Sequence, residues 1–200
     1  MFQRAEGRIR VSFGFCLLTA WFGLVNGWRP LGNLLGAAAV HELGHCLALR
    51  CLGTAWKSLR IGVFGAVLET NDSRLSYGGE LICVLAGPAA NLLCAAVCAA
   101  VGRGRWDAAA GANLVLCIFN LLPLRPLDGG RALHLAVSWL AGPAAGEVTA
   151  RWVGGATGVL LGTVVVWLMG RSGGSLWLLP VAVGAYFQTV DEIFGKQAFL

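Results

Sequence analysis

Residues 31–52 read LGNLLGAAAVHELGHCLALRCL, an apolar stretch with His41, Glu42 and His45 near its middle. Its length matches the roughly 20 residues that a helix needs to cross the hydrocarbon core of a bilayer. Four residues are just over one helical turn, so the two histidines project from one face and can share a metal ion. The glutamate points to the side, where it can act on a water molecule without being a ligand. The alternative is a chance match in which each polar side chain has its own protein partner.

The composition of the whole chain also indicates a lipid environment. Of its 200 residues, 57% are hydrophobic and only 12% are charged, whereas about 25% of residues are charged in an average soluble protein. A soluble fold of this size would need a polar surface that this sequence cannot supply. We therefore expect one membrane-embedded domain over residues 1–200, with its core motifs in 31–131 and additional helices in 132–200.

The apolar runs predict an all-α polytopic membrane protein with about six transmembrane helices. The candidate spans are 11–28, 31–52, 80–101, 108–124, 154–170 and 174–190. A shorter amphipathic helix is expected at 128–141. Residues 55–70 break the helical pattern, because they are rich in β-branched and aromatic residues and are punctuated by Gly62 and Gly65. They predict a small membrane-associated β element, which must lie at the interface or line a cavity.

The basic residues predict the orientation of these spans. Cytoplasmic loops of membrane proteins carry an excess of Lys and Arg. With a cytoplasmic N-terminus, six spans leave only four of the 15 basic residues outside, namely Arg29, Arg103, Arg105 and Arg171. Both termini are therefore predicted to be cytoplasmic. The basic residues form no stripe along the chain, which argues against nucleic-acid binding.

A catalytic zinc site usually has three protein ligands, so a third ligand is expected beside the two histidines. Asp128 is the preferred candidate, because a carboxylate binds zinc well and would be neutralised by it. It follows two prolines and precedes Gly129 and Gly130, so the backbone must leave helical geometry there. Its alternative role is to cap the following helix. His134 is the other candidate ligand, with a half-buried helix histidine as its alternative interpretation.

Three motifs together resemble the site-2 proteases, which are intramembrane zinc metalloproteases. The HELGH sequence is the first of them. AGPAANLL at 86–93 is similar to the GPxxN stretch of the third core helix in that family, and FNLLPLRPLDGGR at 119–131 is similar to its NxxPxxPLDGG segment. The motifs follow the family order and cover residues from about 31 to 131. The chain looks closest to the bacterial branch typified by sporulation factor IVFB, without the CBS module that often follows in that branch.

The resemblance implies one Zn²⁺ per chain, bound by His41, His45 and Asp128. It implies that Glu42 acts as general base and then as general acid. Asn120 would donate a hydrogen bond to the substrate carbonyl or its oxyanion, with a helix-packing amide as the alternative. Asn91 is expected to be structural.

The resemblance also implies a reaction and a location. The reaction is hydrolysis of a peptide bond in or next to a transmembrane segment of a membrane-associated protein, of which a sigma-factor precursor is one example. The location is a bacterial cell membrane, with the lipid bilayer as a partner and no nucleic acid. Residues 57–68 would either hold an extended substrate segment by strand addition or form an interfacial plug. The rival functions are a metal-ion transporter, which would more often show repeated halves, and an inactive membrane scaffold.

Overall fold

The computed structural model describes residues 8–54, 56–62, 65–70, 75–125 and 127–171. The secondary-structure elements within these residues are, in order, β1 (Arg8–Val11), α1 (Phe13–Asn26), α2 (Trp28–Cys51), β2 (Trp56–Gly62), β3 (Gly65–Thr70), α3 (Tyr77–Gly102), α4 (Asp107–Asn120), α5 (Asp128–Ala141) and α6 (Pro143–Arg171). They divide into two compact units, Met1–Asn120 and Leu121–Leu200. The predicted span 174–190 lies outside the described residues.

Two serine caps and one glycine set helix ends in the first unit. Ser12 caps α1, since its hydroxyl accepts a hydrogen bond of 3.2 Å from the Phe15 N–H. Ser76 caps α3 in the same way, through a 3.2 Å bond from the Gly79 N–H. Gly27 has a φ of +91°, a conformation that glycine adopts at little cost, and it separates α1 from α2. The long apolar sequence is therefore cut into separate helices by short local signals.

The three strands form one sheet in the order β1-β2-β3. β1 runs parallel to β2, with Arg8 opposite Ser58. β2 and β3 form an antiparallel hairpin, with an irregular register between Trp56 and Ser58. The sequence prediction placed residue 11 in the first span, whereas the structure places it in β1. The apolar Val11 continues directly into the apolar sequence of α1, so hydropathy alone did not separate the two elements.

α3 is the central helix of the first unit, since it packs against both α2 and α4. The approach of α2 to α3 depends on Gly44. A Cβ atom there would lie 2.5 Å from the Ala86 carbonyl oxygen and 2.8 Å from the Ala90 Cβ. Small residues at such crossings let helix backbones come close together. This close crossing brings the histidine-bearing face of α2 onto α3.

Two helix boundaries differ from the sequence prediction by four residues or more, both for reasons involving proline. α4 ends at Asn120 rather than near residue 124, because Pro123 disfavours helical geometry in the residue before it. α6 begins at Pro143 rather than near residue 154, and proline is well suited to the first position of a helix. α5 spans 128–141 as predicted.

Large apolar side chains cover the outer surface of the helices, including Leu93 at 67% and Leu140 at 86% exposure. Soluble monomers rarely expose extended apolar surface of this kind. Two described helices, α3 and α6, are long and apolar enough to cross a membrane, and α1 and α4 are apolar but shorter. α2 has 24 residues, which corresponds to about 36 Å. The surface is suited to lipid, and the count of six spans stays a prediction.

Candidate metal centre

His41 and His45 lie one turn apart on α2 and meet edge to face. Their Nε2 atoms are 3.1 Å apart, and their ring planes are inclined at 81°. His41 is buried, with 5% of its surface exposed, while His45 is half-buried. The structure therefore brings the two predicted histidine ligands together at a single point.

The other ring nitrogen of His45 identifies where its proton lies. Its Nδ1 is 2.7 Å from the carbonyl oxygen of Cys83 on α3. A carbonyl oxygen can only accept a hydrogen bond, so Nδ1 must be the donor. In the neutral ring, Nε2 then carries a lone pair.

The same assignment holds for His41, whose Nδ1 is 2.6 Å from Oδ1 of Asn91. The Asn91 amide nitrogen donates to the carbonyl of Ala37 and to Oδ1 of Asn113, each at 2.8 Å. The Asn113 amide nitrogen donates in turn to the carbonyl of Ala109 at 2.9 Å. The two carbonyls can only accept, which assigns both amide orientations from the network. Asn91 therefore presents its oxygen to His41, and the His41 proton also lies on Nδ1.

The two histidines thus direct two lone pairs toward each other when both rings are neutral. This arrangement suits a cation, because neither Nε2 carries a proton to donate to the other. Two zinc–nitrogen bonds of about 2.0–2.1 Å at a tetrahedral angle would separate the nitrogens by about 3.3–3.4 Å. The observed 3.1 Å is close to that separation, so the pair fits a zinc ion.

Gly87 on α3 keeps the space in front of both nitrogens open. A Cβ atom at this position would overlap Nε2 of His45 and would lie 2.8 Å from Nε2 of His41. A single carbon atom would therefore fill the space that both lone pairs face. Cys83, Gly87 and Asn91 are four residues apart and so line one face of α3. That face supplies the acceptor for each histidine and the opening between them.

Glu42 follows His41 on α2 and is half-buried. Consecutive helical residues point in directions about 100° apart. Its carboxyl group therefore leaves the helix at an angle to the imidazoles and does not share their face. The role of Glu42 as a proton carrier, expected from the sequence, stays a prediction.

Asp128, the preferred third ligand, is the first residue of α5 in the second unit and is 7% exposed. A carboxylate is favoured at a helix N-terminus by the helix dipole. The two glycines after it allow α5 to start against the preceding turn. A Cβ at Gly129 would overlap the carbonyl oxygen of Leu121, and one at Gly130 would lie 2.5 Å from that of Leu124. Gly129 and Gly130 are therefore required by the packing of the turn itself.

Two further candidates have local partners. Asn120 is the last residue of α4, and its amide nitrogen donates to the carbonyl of Leu116 at 3.0 Å. This bond uses one of its two amide hydrogens and leaves its expected role in substrate binding a prediction. His134 lies on α5, with Nε2 3.7 Å from Oε2 of Glu147. Glu147 also binds the Arg125 guanidinium through both oxygens, at 3.1 and 2.6 Å.

Sequence reasoning missed the roles of Asn91 and Asn113. Asn91 was expected to be structural, and the structure shows that its oxygen lies 2.6 Å from Nδ1 of the candidate metal ligand His41. Asn113 was not singled out at all. The available signal was an amide in the middle of an apolar helix, because a buried amide needs hydrogen-bond partners. The sequence does not show which groups the amides bond to, because most of the partners lie on other helices.

Comparison with known proteins supports the resemblance inferred from the three motifs, although no family model matches the chain. A protein named zinc metalloprotease Rip3 from Mycobacterium tuberculosis is 30% identical over 115 residues, covering 50% of this chain and 29% of its own length. Zinc metalloprotease sll0528 from Synechocystis is 30% identical over 152 residues, with coverages of 68% and 40%. Stage IV sporulation protein FB from Bacillus subtilis is 30% identical over 136 residues, with coverages of 62% and 46%.

The fold agrees with these sequence matches. The site-2 protease from Methanocaldococcus jannaschii superposes with a TM-score of 0.69 at 22% identity, covering 96% of this chain and 94% of that one. The chain is a homologue of these metalloproteases and has the site-2 protease fold. The resemblance predicted from the three motifs is therefore confirmed. The chain spans less than half the length of the curated relatives it matches.

Proposed function

We propose that this chain is an intramembrane zinc metalloendopeptidase, which cleaves a peptide bond in or next to a transmembrane segment of a membrane-associated protein. The observation that carries the proposal is the pair of histidine Nε2 atoms, 3.1 Å apart, facing the space that a Cβ at Gly87 would fill. The neighbouring Glu42 supplies the acid–base group that a hydrolase needs. The names of the zinc metalloprotease relatives point to the same chemistry.

His41, His45 and Asp128 would hold the zinc ion, with one ligand atom from each. Two imidazoles and one carboxylate form a ligand set known from catalytic zinc sites, which keep the fourth position for water or substrate. When bound, zinc would polarise the substrate carbonyl and lower the pKa of water toward about 7. The buried setting of His41 and Asp128 limits the access of bulk water to these ligands.

The protein side chains would carry the proton and orient the substrate. Glu42 would accept a proton from the attacking water and later deliver it to the departing amide nitrogen. Asn120 would donate a hydrogen bond to the carbonyl oxygen as negative charge develops on it. The second amide hydrogen of Asn120 serves this purpose without breaking its bond to Leu116.

The substrate would reach the site as an extended segment, because a helix hides its carbonyls in internal hydrogen bonds. β3 lies at an edge of the sheet, and an exposed strand edge can pair with an extended peptide. We assign this role to β3, of which residues 65–68 belong to the predicted element 57–68. The protein would lie in a bacterial cell membrane as a multi-pass protein, as its apolar helices support.

Zinc content tests the ligand set directly. We expect purified protein to hold about one zinc ion per chain, and His41→Ala or Asp128→Ala to lower the zinc occupancy strongly, because three protein ligands are the norm for catalytic zinc. Metal analysis after dialysis measures this. Asp107→Ala is the matched control, since Asp107 is also the first residue of a helix but is exposed. Unchanged zinc in the Asp128 variant would move the third ligand elsewhere, with His134 as the next candidate.

Reporter fusions test the orientation. We expect a fusion after Leu200 to report a cytoplasmic C-terminus, because that orientation leaves only four of the 15 basic residues outside. A fusion at Gly104, in the segment between α3 and α4, should report the opposite side. A C-terminal fusion that is active only outside the cytoplasm would contradict the predicted topology.

A further inference from the structure

We propose that Asn91 and Asn113 are positioning residues, which together hold His41 in the tautomer that can bind the metal. The inference rests on the proposed zinc site and adds two residues of α3 and α4 to it. Its basis is the chain of hydrogen bonds from the Ala109 carbonyl through Asn113 and Asn91 to Nδ1 of His41. We call this chain the amide relay.

Burial makes the amide relay well defined. Asn91 is fully buried and Asn113 is 4% exposed, so water cannot readily replace a missing partner. Burying an amide without hydrogen bonds is costly, and both hydrogens of the Asn91 amide nitrogen have acceptors. Turning the Asn91 amide by half a rotation would place its NH₂ group against His41 and its oxygen against the Ala37 carbonyl. The relay therefore holds the Asn91 oxygen in the one orientation that accepts from His41.

This orientation matters because a histidine binds metal through a nitrogen that carries no proton. Histidine ligands usually donate their second ring N–H to an oxygen, which fixes the tautomer and the ring direction. In this protein Asn91 supplies that oxygen for His41, and the Cys83 carbonyl supplies it for His45. The two histidines thus have analogous supports, one from a side chain and one from the backbone.

A purely structural role for the two asparagines makes a different prediction. Hydrogen bonds between α2, α3 and α4 also tie the helices together, and their loss would loosen the packing at large. A loosened bundle would lower the free energy of unfolding. It would also disturb the tautomers of both His41 and His45, and not that of one ring alone. The amide relay instead predicts an effect confined to His41, because a main-chain carbonyl holds His45.

The experiment uses the full chain in detergent with ¹⁵N-labelled histidine. The chain has three histidines, so each ring can be assigned by nuclear magnetic resonance. In zinc-free wild-type protein we expect His41 and His45 to carry the proton on Nδ1. In Asn91→Leu, His41 should lose its fixed tautomer while His45 keeps its own. Asn91→Asp restores an acceptor for His41, and in its protonated form the new carboxyl group can still donate to the Ala37 carbonyl, so the His41 tautomer should return.

Zinc affinity, measured by competition with a chelator, is the second readout. Loss of a group that orients a metal ligand typically costs 10- to 100-fold in affinity. We expect a loss of about this size in Asn91→Leu, a smaller loss in Asn113→Ala, and near wild-type affinity in Asn91→Asp. Leu49→Ala is the matched control, since Leu49 is buried on α2 and its truncation weakens packing without touching the relay.

The outcomes separate this inference from the proposed function. Failure of wild-type protein to bind zinc would overturn the proposed function, while the tautomer of His41 would still test the relay. Wild-type zinc affinity and an unchanged His41 tautomer in Asn91→Leu would overturn the relay alone. Equal changes at His41 and His45, or an Asp variant as impaired as the Leu variant, would also overturn it and reduce the asparagines to packing residues.

Discussion

Glu42→Gln is expected to lower the rate of peptide-bond cleavage by about 10²- to 10⁴-fold, the usual contribution of a general base. Glutamine keeps the size and shape of glutamate but cannot accept a proton from the attacking water. Because Glu42 is not a ligand in this mechanism, zinc content should stay at the wild-type level. Cleavage of a transmembrane substrate in liposomes, followed by mass spectrometry, measures the rate. The same variant also serves to find substrates, since a membrane-protein fragment made only by wild-type cells identifies one.

The matched control is Glu80→Gln, the same change at a half-buried acid in the first turn of α3. It should leave cleavage unchanged. Glu42→Asp should be only partly active, because it withdraws the carboxylate by roughly an ångström, and a displacement of that size can cost about 100-fold. Cleavage by Glu42→Gln at the wild-type rate would contradict the mechanism. A metal-ion transporter would instead show altered metal flux in this variant and no proteolysis by either form.

The parts of the site that the sequence predicted depend on short-range periodicity. His41 and His45 share a face because they are four residues apart on one helix, and no tertiary knowledge is needed to see it. The bounds of α5 were predicted correctly because prolines precede it and a glycine follows it, and these residues act locally. The three motifs also led to the fold that the structural comparison shows.

The missed features depend on contacts between distant segments. Asn91 and His41 are 50 residues apart in the chain, and their hydrogen bond exists only after α2 and α3 have packed. β1 pairs with β2 across a similar distance, with Ile9 opposite Leu59. A four-residue strand is too short to show a clear alternation of polar and apolar residues, so hydropathy placed its last residue, Val11, in the first span and did not predict the strand.

The early start of α6 was missed for a different reason. Hydropathy began the span near residue 154 because Glu147 and Arg151 interrupt the apolar pattern before it. In the structure, Glu147 lies on the second turn of α6 and binds Arg125 through both oxygens. A charged residue with a fixed partner does not end a helix, although it does end an apolar run. Hydropathy located the apolar segment of α6 and not its N-terminal turns.

Gly87→Ala is expected to abolish zinc binding at concentrations that saturate the wild-type protein, the second of the two largest effects. The added methyl group would overlap Nε2 of His45 and lie 2.8 Å from Nε2 of His41, in the space that both lone pairs face. Zinc–nitrogen bonds are about 2.0–2.1 Å long, so the methyl group and a shared zinc ion cannot both occupy that space. Alanine is otherwise the better helix former, by about 1 kcal/mol in a helix interior.

Thermal unfolding with and without zinc separates this effect from misfolding. A ligand that binds only the folded state raises its stability by RT ln(1 + [L]/Kd), about 2.7 kcal/mol at 100 times Kd. Wild-type protein should gain this stabilisation and Gly87→Ala should not. The methyl group would also displace the His45 ring from its bond to the Cys83 carbonyl, so the response of each protein to zinc is compared with its own zinc-free unfolding temperature. Gly36→Ala is the matched control, because it adds the same methyl group to α2 at a place where no atom outside the neighbouring helix backbone lies within 4 Å. It should keep the full response to zinc. A wild-type zinc response in Gly87→Ala would show that the ion does not lie between these two nitrogens.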